Sequence, residues 1–341
     1  MGRTLDSGET MMRNLGSVCL SVILFAFLWG LVGYLAPVSA HSQIGPDYVP
    51  FNPLISVDSS DLRLTYSQAY TVYIPLIHVP PPPNPKKGVG VVRPPACTDM
   101  RNLDASWYFT WSPFPDPTCT VTENNRFIPR ISNAQSMAHL GTALNYAKQS
   151  GWLIGFTEPN LSWQSNLTPA QGAVLWKQIE EAADAVGGIK LVSPSPNQYN
   201  PGDADPYGHQ WLWAMVSDFN LRFGRNPRFD AIGWNIYKQS PNEITAYLTA
   251  RRNEALARGY NVPIWVLEYA GECWRGSGSN NQSIMTATTA WFDATPWIGR
   301  YAWFANRLSG SEPNAVGWQS CSLVNPQTGA LTSLGQIYKL H

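Results

Sequence analysis

Glu158 and Glu268 each end a hydrophobic run: Glu158 follows Trp152-Leu153-Ile154-Gly155-Phe156-Thr157, and Glu268 closes Ile264-Trp265-Val266-Leu267. A carboxyl group so placed has to be solvated in a cleft, paired, or held protonated. Two of them facing one cavity suit glycoside hydrolysis, in which one carboxyl protonates the leaving oxygen and the other attacks the sugar carbon. The competing reading makes each a structural carboxylate bonded to a neighbouring strand. Arg130 ends a third apolar stretch and can orient a carboxylate or sit in an ordinary buried ion pair. In Gly233-Trp234-Asn235-Ile236-Tyr237, Asn235 and Tyr237 alternate with Trp234 and Ile236, so one set faces inward. A polar inward set at a strand end reads as a substrate subsite. Trp111, Trp163, Trp274 and Trp303 stand at or near strand ends and can serve as platforms for sugar rings or as core. Glu272, in a loop beyond Glu268, reads as solvated.

Composition narrows the partners. The 341 residues carry 23 basic and 23 acidic side chains, for no net charge and only 13% charged residues, with 15 Trp and 15 Tyr. Such a balance gives no electrostatic footprint for nucleic acid or for an anionic membrane surface. Trp and Tyr join an apolar face to a polar edge, which suits the C–H faces and hydroxyl rims of sugars. No cofactor and no metal are expected. The five histidines are scattered, with no His-Glu-x-x-His. Gly88-Val89-Gly90-Val91-Val92-Arg93 lacks the third glycine of the dinucleotide fingerprint, and neither a Walker loop nor a Gly-x-Ser-x-Gly elbow occurs.

These residues need a frame that brings the ends of distant strands together. Apolar runs at 87–92, 106–111, 126–131, 152–156, 190–193, 231–237, 264–268 and 300–305 read as eight strands. Most are near-continuous rather than alternating, as buried parallel strands are. Helices lie between them. Thr168-Pro169-Ala170-Gln171 is a capping box with Pro at the first helical position, and Gly187-Gly188 ends that helix. Ser240-Pro241-Asn242-Glu243 repeats the device, with a stop at Gly259. Leu140 and Leu144 mark a helix ending before Gly151, and 211–223 and 284–292 mark two more. The pattern fits an α/β fold of the (β/α)8 TIM-barrel type, whose chemistry sits where strands end and βα loops begin. The first two crossovers, 93–105 and 112–125, are short and Pro-rich, so an incomplete outer helix ring is expected there.

Residues 1–40 read as a signal peptide: Met12-Arg13-Asn14 precede an uncharged stretch with an apolar run at 18–36 and the small residues Val38-Ser39-Ala40. An uncleaved signal anchor is the alternative, and the only route to a membrane. Either way the remainder is expected to be secreted or tethered at the extracellular surface. Residues 41–85 read as a Pro-rich linker that ends in a stiff polyproline stretch. Residues 86–341 read as one catalytic domain, expected to be a monomer. Outside the signal, Cys97, Cys119, Cys273 and Cys321 form an even set suited to an oxidising compartment, with three connectivities open and free buried thiols as the alternative. Cys97 and Cys119 follow the first and second strands, and Cys273 and Cys321 the seventh and eighth. Bridges in those two pairs would staple neighbouring loops.

The segment Gly155-Phe156-Thr157-Glu158-Pro159-Asn160, followed by Asn166-Leu167-Thr168-Pro169-Ala170-Gln171 and Leu175-Trp176, resembles the acid/base segment of glycoside hydrolase family 128. That family consists of barrel enzymes cleaving β-1,3-glucans, and its fold is also called the Asl1-like glycosyl hydrolase catalytic core. Ser106-Trp107-Tyr108-Phe109-Thr110-Trp111 is similar to its second strand, Lys190-Leu191-Val192-Ser193-Pro194-Ser195 to its fifth, and Trp265-Val266-Leu267-Glu268-Tyr269-Ala270 to its nucleophile strand. The resemblance implies a retaining glycosidase of the clan A type. Glu158 would be the general acid/base, protonated at rest, and Glu268 the ionised nucleophile. The candidate substrate-binding set is Trp111, Thr157, Asn160, Trp163, Asn235, Tyr237, Trp274 and Trp303. Two positions depart from the family. Thr157 stands where such enzymes usually carry an Asn that bonds the sugar 2-hydroxyl, and Thr110 stands where Tyr-Asn-Trp is commoner. The expectation is an endo-β-1,3-glucanase acting on a polysaccharide or oligosaccharide without a cofactor. The alternatives are a hydrolase of another β-glycan and a non-catalytic β-glucan-binding barrel.

Overall fold

The computed structural model describes residues 83–199, 208–275, 280–309 and 317–341. The expected signal and nearly all of the expected linker therefore lie outside the described residues. Strands and helices alternate in chain order. β1 (Lys87–Gly90), α1 (Ala96–Asn102) and β2 (Trp107–Phe109) come first, then α2 (Leu140–Ser150), β3 (Trp152–Ile154), α3 (Pro169–Val186) and β4 (Lys190–Val192). The second half runs through α4 (Gln210–Phe223), β5 (Ile232–Tyr237), α5 (Pro241–Ala257), β6 (Ile264–Ala270), α6 (Asn281–Ala294), β7 (Ile298–Trp303) and α7 (Ser333–Leu340). All strand pairs are parallel, in ladders ordered β2-β1-β7-β6-β5 and β3-β4.

Isolated parallel bridges Tyr108↔Phe127, Arg130↔Ile154 and Val192↔Ala231 continue the pairing between these ladders. The neighbour order is that of a (β/α)8-type barrel. The expected third strand at 126–131 is corrected to two single bridges, and the reason is Pro129. Its carbonyl accepts from Ile154 N at 3.0 Å, but proline has no N–H to give back, so no ladder propagates.

Side chains divide into two layers. Trp107, Phe109, Ile154, Val192, Trp265, Leu267 and Ala302 pack together inside the ring. Val89, Tyr108, Leu153, Trp234, Val266, Tyr269 and Trp303 pack with helix residues such as Leu144, Trp176, Leu248 and Phe292. One irregularity governs the site. On β6, Trp234↔Val266 is followed by Asn235↔Glu268, so Leu267 is an extra residue against β5. β7 skips at the same place, from Val266↔Tyr301 to Tyr269↔Trp303. Strict alternation from the inward Trp265 would send Glu268 outward with Val266. The bulge lets Leu267 and Glu268 face inward in succession and returns Tyr269 to the outer layer. Gly233 makes room, since a Cβ there would lie 2.8 Å from Leu267 Cδ1 and 3.3 Å from Ser193 O.

The helix signals operate as the sequence suggests. Thr168 accepts from Gln171 N in a reciprocal capping box with Pro169 in the first turn, and Ser240 accepts from Glu243 N. Gly151 and Gly259 adopt φ of +79° and +84° at helix ends, which favours glycine. Between β1 and β2 the cover is only the seven-residue α1, and before Phe127 it is a 3-10 turn at Val121–Arg126. Cys97–Cys119 bridges these two thinly covered crossovers, and Cys273–Cys321 ties the loops after β6 and β7. With separations of 22 and 48 residues, loop-closure entropy gives ~3–4 kcal/mol for each. The eight-residue α7 was not foreseen from its sequence. Its Tyr338 hydroxyl donates to Gly88 O at 2.7 Å, and Lys87 Nζ donates to Tyr338 O at 3.0 Å and Lys339 O at 3.2 Å.

Two glycine substitutions test this packing. Gly233→Ala should lower the urea midpoint by the equivalent of ~1–3 kcal/mol, because the new methyl displaces the bulge residue Leu267. Gly141→Ala lies on α2, where a Cβ meets nothing within 4 Å; it should raise stability by ~0.5–1 kcal/mol.

Candidate active site

Glu158 stands just past β3 with its backbone at φ +40°, and Trp111, just past β2, has φ +45°. Left-handed conformations of non-glycine residues cost about 1–3 kcal/mol and concentrate at functional sites. Glu158 is held there by its own N–H, which donates to Ser195 O at 2.9 Å. The residue is 6% exposed, and its carboxyl group meets neutral donors: Oε1 accepts from Asn197 Nδ2 at 2.8 Å and from Asn235 Nδ2 at 3.1 Å.

Glu268 occupies a different environment. Its Oε1 accepts from Trp111 Nε1 at 2.7 Å and lies 3.4 Å from Thr157 Oγ1 and 3.5 Å from Arg130 Nη1. Its Oε2 accepts from the Tyr237 hydroxyl at 2.8 Å. A guanidinium and several convergent donors suit an anion. Arg130 is fully buried; its Nε donates to Gly155 O at 3.0 Å and its Nη2 to Phe156 O at 3.2 Å and to Ser195 Oγ. Burial lowers its pKa to about 10, against the raising effect of Glu268 and Glu158, so it stays charged at neutral pH.

Burial, and then the charge of Glu268, push the Glu158 pKa up to about 7, although Asn235, Asn197 and Arg130 pull the other way. Burial and the nearby carboxylates also drive the Tyr237 phenol well above its usual range, so it remains a donor. The pair thus offers a carboxylic acid that keeps its proton near neutrality beside a carboxylate supplied with donors. That is the arrangement that general acid catalysis with an adjacent nucleophile requires.

Of the residues singled out in the sequence, Trp111, Arg130, Thr157, Asn235 and Tyr237 all touch one of the two carboxyl groups. Trp274 packs edge-on against Tyr237, with ring centroids 5.4 Å apart. Trp163 is 66% exposed on the loop after Glu158. Two expectations are corrected, Trp303 as a sugar platform and Glu272 as a solvated side chain. Trp303 is fully buried in the helix-facing layer, with its Nε1 donating to Cys321 O at 2.8 Å, so it is core and no sugar platform. Asn160 Nδ2 donates to Asn197 O at 3.3 Å and Tyr199 O at 2.6 Å, and its Oδ1 accepts from Asn197 N at 2.9 Å. These bonds fix the loop that carries Asn197. Glu272 is buried, accepting from Tyr199 and Gln239. Sequence reasoning missed Asn197, Phe304 and Trp318. The last two form an aromatic wall with Tyr237, at centroid distances of 5.9 Å and 6.0 Å from it. The Pro-rich turn after β4 was the available signal for Asn197.

Residues 89–338 match the family model described as the glycosyl hydrolase catalytic core. No curated protein sequence matches the chain. Among solved structures, the chain is similar to a family 128, subgroup II, endo-β-1,3-glucanase from Pseudomonas viridiflava, at 26% identity and TM-score 0.59, covering 74% of this chain and 96% of that one. The corresponding enzyme from Sorangium cellulosum is 25% identical with TM-score 0.58, over 74% and 97% of the two chains. A subgroup I endo-β-1,3-glucanase from Amycolatopsis mediterranei, in complex with laminaritriose, is 25% identical with TM-score 0.58, over 75% and 99%.

The raised pKa of Glu158 has a thermodynamic consequence. The native state holds this proton up to about pH 7, whereas the unfolded chain releases it near the ordinary carboxylate value, so stability falls as pH rises through that window. Glu158→Gln removes the titration. The variant should equal the parent below about pH 4.5 and exceed it by ~3 kcal/mol at about pH 8, read from denaturant unfolding at both values.

Proposed function

The chain belongs to the glycosyl hydrolase catalytic core family, and we propose that it hydrolyses β-1,3-glucan by double displacement, with Glu158 as general acid/base and Glu268 as nucleophile. One observation carries this reading: the two buried carboxyl groups have opposite surroundings, Glu158 holding a proton to about pH 7 and Glu268 facing Arg130, Trp111 and Tyr237. The substrate assignment rests on the family 128 endo-β-1,3-glucanases to which the chain is similar.

In the first step Glu158 gives its proton to the glycosidic oxygen as the C1–O bond breaks, and a Glu268 oxygen forms an ester with C1. The aglycone leaves as an alcohol. Glu158, now ionised and bonded by Asn197 and Asn235, takes a proton from water as that water attacks C1. Glu268 departs as the carboxylate and the configuration at C1 is retained. Tyr237 and Trp111 hold the two oxygens of Glu268, which fixes the direction of attack.

The two departures from the family pattern bear on substrate contacts. Thr110 Oγ1 donates to Phe114 O at 2.8 Å, which ties it to its own loop. Thr157 Oγ1 lies beside Glu268, where a hydroxyl reaches less far than a carboxamide. Sugar rings would instead be carried by Trp274, Phe304 and Trp318, with the exposed Trp163 as a more distant platform. The two disulfides and the apolar N-terminal run support action outside the cytoplasm, by a secreted or surface-tethered protein.

Reducing-sugar release from laminarin and from a panel of other β-glycans tests the reading. Release from laminarin should fall as pH rises through about 7, because the proton on Glu158 is required. Glu268→Gln should abolish it, and Glu158→Gln should reduce it by roughly 10²–10⁴-fold. Release only from another β-glycan would move the substrate and keep the chemistry. Binding without release from any glycan would overturn the hydrolytic reading.

A further inference from the structure

Glu272 brings a third carboxyl group to the rim of the site. It is 7% exposed. Its Oε1 accepts from the Tyr199 hydroxyl at 3.0 Å and its Oε2 from Gln239 Nε2 at 2.7 Å. Lys238 Nζ lies 3.4 Å from the same Tyr199 hydroxyl and 4.9 Å from its ring centroid. The loops after β4, β5 and β6 therefore converge on Glu272. The first of them carries Asn197.

The route from Glu272 to Glu158 is short. Tyr199 N donates to Asn197 Oδ1 at 2.9 Å. With its oxygen engaged there, the Asn197 carboxamide can turn only its Nδ2 toward Glu158 Oε1, 2.8 Å away. Asn160 grips the carbonyls of Asn197 and Tyr199 from the loop after Glu158. Tyr199 is thus held by Asn160 through its backbone and by Glu272 through its side chain.

We propose that Glu272 is a positioning residue for Glu158: by holding Tyr199 it keeps Asn197 donating to the acid/base. The inference rests on the reading of Glu158 as acid/base, and Glu272 itself does not touch the substrate. The Asn197 bond matters most when Glu158 is ionised, between departure of the aglycone and attack of water. The groups facing Glu158 are the charges of Glu268 and Arg130 and the carboxamides of Asn197 and Asn235. If Asn197 drifts, the ionised form keeps one donor in place of two. Glu158 then holds its proton to higher pH, and the alkaline limb of the rate profile moves upward.

Tyr199→Phe keeps the ring and removes only the hydroxyl, so it is the conservative probe, with Glu272→Gln as a second variant and Asn197→Ala as the direct comparison. The pH dependence of kcat and of KM is measured on the whole chain with a laminari-oligosaccharide, beside the melting temperature. Tyr199→Phe and Glu272→Gln should move the alkaline limb upward by about one pH unit, the size of one hydrogen bond to a charged group. They should lower kcat by about tenfold with KM nearly unchanged. The Tyr199→Phe/Asn197→Ala double variant should shift the limb no further than Asn197→Ala alone. A limb moved by Asn197→Ala but unmoved by Tyr199→Phe and Glu272→Gln, with only the melting temperature lowered, would overturn the positioning role. Additive shifts in the double variant would overturn it as well. Full activity in Glu158→Gln would remove the acid/base reading, and this inference with it.

Discussion

Two carboxyl groups buried beside one another cannot both ionise without a large electrostatic penalty, and the interior at the top of this barrel is arranged around that restriction. The buried guanidinium of Arg130 is placed on Glu268. The indole of Trp111 and the phenol of Tyr237 are added on the same side. Glu158 receives carboxamides, which favour its ionised form without neutralising it. Arg130 is itself anchored to the carbonyls of Gly155 and Phe156, in the run that ends at Glu158. The cation that favours charge on one carboxylate is therefore fixed to the strand that presents the other, and the asymmetry between them is built into one rigid piece.

That piece works only because β6 breaks its own alternation. Leu267 and Glu268 both face inward, and the space they need comes from Gly233 across the pair. Around them, Trp111 and Glu158 hold left-handed backbone. Each departure costs stability locally, as does a proton-holding acid that would rather be in water. Functional constellations commonly carry such costs, and here the two-layered core and the disulfides are the compensating reserve.

The parts legible from sequence are those set by short-range pattern. Thr168 and Ser240 cap helices within four residues of themselves, and Gly151 and Gly259 end them through their own backbone freedom. Glu158 and Glu268 stand out because a carboxylate ending an apolar run is costly wherever it folds. What stayed hidden depends on parity or on distant partners. Trp303 and Phe304 are adjacent, and which of them faces the cleft turns on a strand register no local signal fixes. The bulge at Leu267 is likewise visible only against both neighbouring strands. Glu272 looks solvated until Tyr199 and Gln239, from other loops, close over it. Pro129 was readable, and its missing N–H is why the third strand pairs so sparsely.

The first strand is completed last. β1 pairs on one side with β2, but on its other side with β7, and beneath them Tyr338 and Lys87 join α7 to it across about 250 positions. A polypeptide growing from its N-terminus therefore carries β1 with one naked edge until nearly the entire domain has been made. Contacts of such long sequence separation form slowly, and an unpaired parallel edge is a surface on which a second chain can assemble. Ring closure is then the event that retires a standing aggregation hazard, and a ribosome stalled ahead of β7 would release the species most exposed to it.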